Sequence, residues 1–118
     1  MSAGRMRRVD EAVREVLSDA ISQGLKDPRI GFVTVTDVKT STDLRHARVY
    51  VSVLGGEVER EEAFQGLTSA AGFLQSQVGS ELRMKRTPTL EFVHDPSIEH
   101  GMRMERLISD VVPDERAE

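Results

Sequence analysis

A chain of 118 residues is long enough for one hydrophobic core and too short for a second domain. It contains no cysteine, which excludes disulfide and thiolate chemistry and fits a reducing compartment, and its apolar runs are too short to span a membrane. Residues 1–8 are too polar for a secretory signal, so a soluble cytoplasmic protein is expected, and the net charge of -4, taken as a sum, argues against a nucleic-acid partner.

Val9, Ala12, Val13, Val16, Leu17, Ala20 and Ile21 recur at i, i+3, i+4, which predicts a helix with one apolar face. Asp10 and Glu11 fall near its expected start, where the macrodipole favours them, and Gly24 and Pro28 bracket its end. Burying all these side chains at roughly 1.5 to 3 kcal/mol each gives on the order of 10 to 20 kcal/mol before entropy, so the face must dock on another layer. Lys26-Asp27-Pro28-Arg29 is a turn. Residues 30–38 are rich in Val, Thr and Phe, and Ala47, Val49, Val51 and Val53 alternate with Arg48, Tyr50 and Ser52, so two strands follow. Residues 39–45 suit the exposed loop of an antiparallel hairpin. Gly55-Gly56 ends the second strand, and the acidic run at 57–62 places negative charge at the start of the next helix.

From 63 to 86 two amphipathic patterns meet at Ala70-Ala71-Gly72: Ala63, Phe64 and Leu67 before it, Phe73, Leu74, Val78 and Leu82 after it. Glycine costs about 1 kcal/mol relative to alanine inside a helix, so Gly72 is expected to mark a bend between two helices. Arg83, Met84, Lys85 and Arg86 would form the last turn of the second, next to its carbonyl end. Pro88 permits only an edge or the first residue of a strand, and Leu90, Phe92 and His94 alternate with Thr89, Glu91 and Val93 in a third strand ended by Asp95-Pro96-Ser97. Met102, Leu107, Ile108, Val111 and Val112 predict a short closing helix beyond Gly101, giving one domain over 1–112 and a short, flexible acidic tail at 113–118. The order is helix, strand, strand, helix, kink, helix, strand: an α+β fold with a three-stranded sheet and helices packed on one face.

Chemistry is sparse. His46, His94 and His100 are the only histidines, and none stands at helical metal spacing from a second ligand or beside an activated nucleophile. His94, Asp95, Glu99 and His100 make at best a weak metal set, and no glycine-rich phosphate cradle occurs. No catalytic residue, metal or cofactor is expected. The few aromatic residues fall mostly on apolar faces, so no base-stacking platform is evident. Charge, however, is unevenly placed: Arg5, Arg7 and Arg8, then Lys26 and Arg29, then Arg83, Lys85 and Arg86 stand apart from the acids at 57–62 and in the tail.

The assembled order resembles a type II KH domain, an RNA-binding module whose Gly-x-x-Gly loop between two helices clamps a single strand. Here Ala70-Ala71-Gly72 stands in that place, and an Ala-x-Gly kink in a KH-like fold is the mark of the ribosome-binding factor A family. The likeness covers nearly the whole chain. Its motifs are Lys26-Asp27-Pro28-Arg29 with Gly31; Asp43-Leu44 with Ala47, Val49, Tyr50 and Val51; Ala70-x-Gly72-Phe73; Arg83-x-Lys85; Pro88-x-Leu90; Asp95; and Gly101-Met102-Arg103-Met104. Thr87-Pro88-Thr89-Leu90 departs from the family's more usual Val-Pro-Glu-Leu, and the chain stops soon after Val112 where some members run on.

The resemblance implies a bacterial assembly factor without catalytic activity. It would bind the free small (30S) ribosomal subunit, assist late processing of 16S rRNA near its 5′ end and the decoding region, support growth in the cold, and leave before translation. An assembly GTPase and an initiation factor are the implied transient partners; no membrane is involved, and a monomer is expected. Lys26, Arg29, Arg45, Arg48, Arg83, Lys85 and Arg86 are the candidate RNA-binding residues, extended by Arg5, Arg7 and Arg8 through a flexible end. In the kink motif, Ala70 would let the helices approach closely and Gly72 would absorb the bend. The rival reading is a protein-interaction domain that uses its acidic face or sheet and makes no RNA contact; the net charge favours it.

Overall fold

The computed structural model describes residues 3–96, so the expected closing helix, the tail, His100 and the Gly101-Met102-Arg103-Met104 motif lie outside the described residues. Within them the elements follow the expected order: α1 (Ala3–Gly24), β1 (Val33–Thr40), β2 (His46–Val53), α2 (Glu57–Ser69), α3 (Ala71–Leu82) and β3 (Thr89–His94). The α+β layout is as expected. The sheet order is β1-β2-β3, with β1 antiparallel and β3 parallel to β2. A parallel neighbour requires a crossover, and α2 and α3 supply it.

The alternation of valines decides which sheet face is buried. Val35, Val38, Ala47, Val49, Val51 and Leu90 are buried in one cluster with the helices, and Val53 is buried as well. Val35 and Val38 are three apart, which would place them on opposite faces of a regular strand. A bulge between Val35 and Asp37 re-phases β1, pairing Val35 with Val51 and Val38 with Val49, so both valines reach the core. Thr36, inside the bulge, donates its hydroxyl to Asp95 Oδ2 at 2.6 Å and so ties β1 to the residue after β3.

Several expected boundaries move. The first helix begins at Ala3, so Asp10 and Glu11 sit about two turns inside it, and Arg5, Arg7 and Arg8 are helical rather than part of a flexible end. Partly buried Met6 and Val9 continue the stripe toward the N-terminus, and Asp10 Oδ1 accepts the Thr40 amide at 2.9 Å, fastening the helix to β1. Of the apolar stripe only Val13, Leu17 and Ile21 are buried, at i, i+4, i+8, because a straight helix on a sheet covers one narrow strip. The gross gain from those three is about 5 to 9 kcal/mol, roughly half of what burying the whole stripe would give.

Strand β1 starts at Val33, not at residue 30. Gly31 has a φ of 59°, a left-handed conformation that breaks the extended run, so Ile30 turns inward to bury while Phe32 stays 78% exposed. At its other end β1 takes in Lys39 and Thr40, leaving a loop at 41–45. Asp43 Oδ1 shapes that loop by accepting the Ser41 hydroxyl at 2.6 Å and the Arg45 amide at 3.0 Å.

The bend between α2 and α3 is present, but it sits on Ala70. That residue has φ -90° and ψ 1°, its amide reaches the Gly66 and Leu67 carbonyls, and its own carbonyl accepts the Leu74 amide at 2.9 Å. Gly72 lies in the first turn of α3, exposed, with no left-handed φ and with open space where a Cβ would stand. It therefore does not absorb the bend. Gly72→Ala is expected to stabilise the fold by about 0.5 kcal/mol through helix propensity, read as a small rise in thermal midpoint; a lower midpoint would return the bend to Gly72.

The end of α3 also differs. The helix stops at Leu82, and Arg83 takes the left-handed cap position at φ 54° while the Met84 amide returns to the Gly79 carbonyl at 3.0 Å. Lys85 and Arg86 thus follow the helix instead of forming its last turn. Thr87 folds back on α3, where Gln75 Nε2 donates to its Oγ1 at 3.0 Å, and Pro88 is fully buried just ahead of β3.

Candidate nucleic-acid interface

Two loops meet at one end of α3. The β1–β2 loop and the α3–β3 connection are laced together by the Thr89 amide on the Arg45 carbonyl at 2.8 Å, and they share a hollow lined by Asp43, Leu44, Arg45, Met84, Lys85 and Arg86. Arg45, Lys85 and Arg86 are exposed there. Among the lining residues only Asp43 opposes them, 3.9 Å from Arg45 Nε and already holding the Ser41 hydroxyl and the Arg45 amide, bonds that depress its own pKa. Arg83 adjoins the group, with its backbone committed to the helix cap.

Lys26 and Arg29 stand elsewhere. Ile30 seats the turn on α2 at Gly66, and the Arg29 guanidinium reaches Ser69 Oγ at 3.3 Å, one residue before the Ala70 break. Twelve residues of α3 at about 1.5 Å each put that position on the order of 18 Å from the Lys85 end. Arg29 is also bound within its own turn: its Nε and Nη2 hold both Asp27 oxygens, at 2.9 and 2.5 Å. The fork and the Arg29 amide pull the Asp27 carboxyl from 3.8 to about 2. Its contribution to stability is therefore complete above pH 3.8 and is lost as the pH falls toward 2. An NMR titration of Asp27 is expected to show a midpoint near 2, moving up toward 3.8 in Arg29→Ala; an unmoved midpoint would show the fork is not its cause.

Arg48 lies on the open face of the sheet, opposite Lys39 on one side and Glu91 on the other, with its Nε 3.5 Å from Glu91 Oε1. The Tyr50 hydroxyl, then Glu91, raise its pKa further. The structure thus divides the candidate cations into a loop cluster of Arg45, Lys85 and Arg86 with Arg83 beside it, a second foothold of Lys26 and Arg29, and Arg48 facing a carboxylate on the sheet.

Two features escaped the sequence reading. Phe73, expected in the buried stripe, is 48% exposed, because Leu74 and Val78 take the inward positions of α3. The Asp27–Arg29 fork was legible in principle, as opposite charges two apart around a proline, but the same spacing occurs in ordinary turns.

The structure is thus an α+β protein that gathers cations on two adjoining loops; among the described residues no group of three or more His, Cys, Asp or Glu could hold a metal ion. Comparison with known proteins makes this specific. The sequence profile of ribosome-binding factor A matches residues 5–108. Ribosome-binding factor A of Halothermothrix orenii is 43% identical over 118 residues, covering 100% of this chain and 97% of its own. The solution structure of a Thermotoga maritima protein, itself assigned as a ribosome-binding factor A, is similar at a TM-score of 0.70 and 36% identity, covering 79% of this chain and 89% of its own. A homology model of the Thermus thermophilus ribosome-binding factor A, as fitted into a cryo-electron-microscopy map of its complex with the 30S subunit, is similar at a TM-score of 0.63 and 32% identity, covering 74% of this chain and 91% of its own. The chain belongs to the ribosome-binding factor A family. Among the described residues no helix is long and apolar enough to cross a membrane.

Proposed function

We propose that this chain is a non-catalytic assembly factor that binds the free small ribosomal subunit through 16S rRNA and assists its late maturation, including in the cold. It acts in the cytoplasm as a monomeric single domain, with transient contact to an assembly GTPase at release. The observation that carries the reading is the meeting of the 41–45 loop with the α3–β3 connection, which sets Arg45, Lys85 and Arg86 on one exposed lip. Such a cluster contacts phosphate by charge and shape, without reading bases. The partner is supported by the Thermus thermophilus relative, whose complex is with the 30S subunit. The open surface over Gly72 adds a place where nucleic-acid backbone can come close to α3, since no side chain stands there.

The test is co-sedimentation of the purified protein with small subunits, large subunits and assembled ribosomes at two salt concentrations. Binding to free small subunits alone, falling steeply with salt, is the expected result. Failure to sediment with any of the three by a folded protein would overturn the reading in favour of a partner that is protein alone.

A further inference from the structure

The outer side of the helix layer has the opposite character to the loop cluster. Val16 and Ala20, flanking the buried strip of α1, are only partly covered, and Phe73 faces them from α3 while remaining 48% exposed. Together they line a groove of about 580 Å³ between the two helices. Its ionisable residues are Glu15, Asp19 and Glu81, with no lysine or arginine among the lining groups. Arg14, whose charge reaches Glu15, is bonded to Glu11 instead.

The groove joins a small apolar floor to an acidic rim, and the rim restricts what can cover it. Nucleic acid would bring phosphates against three carboxylates. A segment rich in arginine and lysine fits on both counts: its cationic heads meet the carboxylates, its aliphatic stems lie along Val16 and Ala20, and a guanidinium or ammonium can sit over the Phe73 ring. A ribosomal particle presents RNA and protein surfaces, and only the protein can carry a run of cations.

We propose that the α1–α3 groove docks an Arg/Lys-rich protein segment on the ribosomal particle while the basic loops hold rRNA. The inference rests on the small-subunit reading above. It gives the two signs of charge on this molecule separate tasks: the loops read the RNA surface, and the groove reads a neighbouring protein.

The test places photoreactive benzoylphenylalanine at Gln77, which lines the groove, and irradiates the protein bound to purified small subunits. The expected adduct is with a protein, through a peptide rich in arginine and lysine. Its yield, normalised to sedimented protein, should fall about tenfold when Glu81→Lys is combined with Phe73→Ala, as for the loss of a contact of about 1.4 kcal/mol. Both side chains are exposed, so the fold should persist, and circular dichroism checks it; Asp19→Lys alone is the second variant, with a fall in the same direction. Adducts to rRNA, no adduct from bound protein, or a yield indifferent to these variants would overturn the groove proposal and leave the small-subunit reading standing. Failure of the unaltered protein to sediment with small subunits would overturn both.

Discussion

Replacing Arg45, Lys85 and Arg86 together with alanine is expected to lower affinity for free small subunits by about ten- to a hundredfold and to reduce the salt slope by about 2 to 3. The three side chains are exposed around one hollow, so a phosphate run that meets one of them meets the others. Each lost phosphate contact removes about 0.7 to 0.9 from the slope of log affinity against log salt. Among the described residues none of the three has a buried side-chain partner, so the fold should be unaffected, and circular dichroism checks that directly. Arg83 is left intact for a physical reason: its backbone holds the left-handed cap of α3, and a substitution there would mix local conformational effects with lost charge. Binding with unchanged affinity and slope would remove the loop cluster from the interface and move attention to Lys26 and Arg29.

The second large effect is on stability. Gly79→Ala is expected to destabilise the fold by about 1 to 2 kcal/mol, lowering the thermal midpoint by about 5 to 10 °C, although alanine is the better helix former by about 1 kcal/mol. A Cβ at position 79 would lie 2.2 Å from the Thr87 methyl, Cγ2. Thr87 could rotate that methyl away only by moving Oγ1, which holds the Gln75 amide at 3.0 Å. Thr87→Ser removes the methyl and keeps the hydroxyl, so in the Gly79→Ala background it should restore most of the loss. This rescue is the signature of a packing clash rather than of a general helix effect. A midpoint that stays put in Gly79→Ala, or a double variant no better than the single, would mean that the close approach of Thr87 to α3 does not hold the connection in place. Because the same connection carries Lys85 and Arg86, Gly79→Ala should also weaken small-subunit binding, by disordering the lip without removing a charge.

Glycines at 72 and 79 show why helix propensity alone misplaces a bend. Both stand in α3 and read alike in a sequence window. At 72 the neighbourhood is empty and alanine should be welcome; at 79 a threonine from the far side of a loop occupies the space. Only the path of the chain after Leu82 distinguishes them.

The sequence by itself determined the order of elements and the class of fold, because period-2 and period-3.6 apolar patterns are local and survive without knowledge of neighbours; the resemblance to the family rested on ordered motifs such as Lys26-Asp27-Pro28-Arg29 and Ala70-x-Gly72-Phe73. It also placed the helix break to within two residues, through the cost of a glycine inside a helix, although the break itself sits on Ala70 and not on Gly72. Tertiary contacts decided the rest. Val38 reaches the core only through the bulge, Phe32 is turned outward by the left-handed Gly31, and Phe73 lies outside the buried strip because Leu74 and Val78 face inward from α3. Charge was legible as a list and illegible as a surface. Arg45 and Lys85 are far apart in the chain and share a hollow, whereas Arg29 and Lys85 stand at opposite ends of a helix. Burial and proximity are properties of pairs of elements, so no reading of a single stretch could assign them.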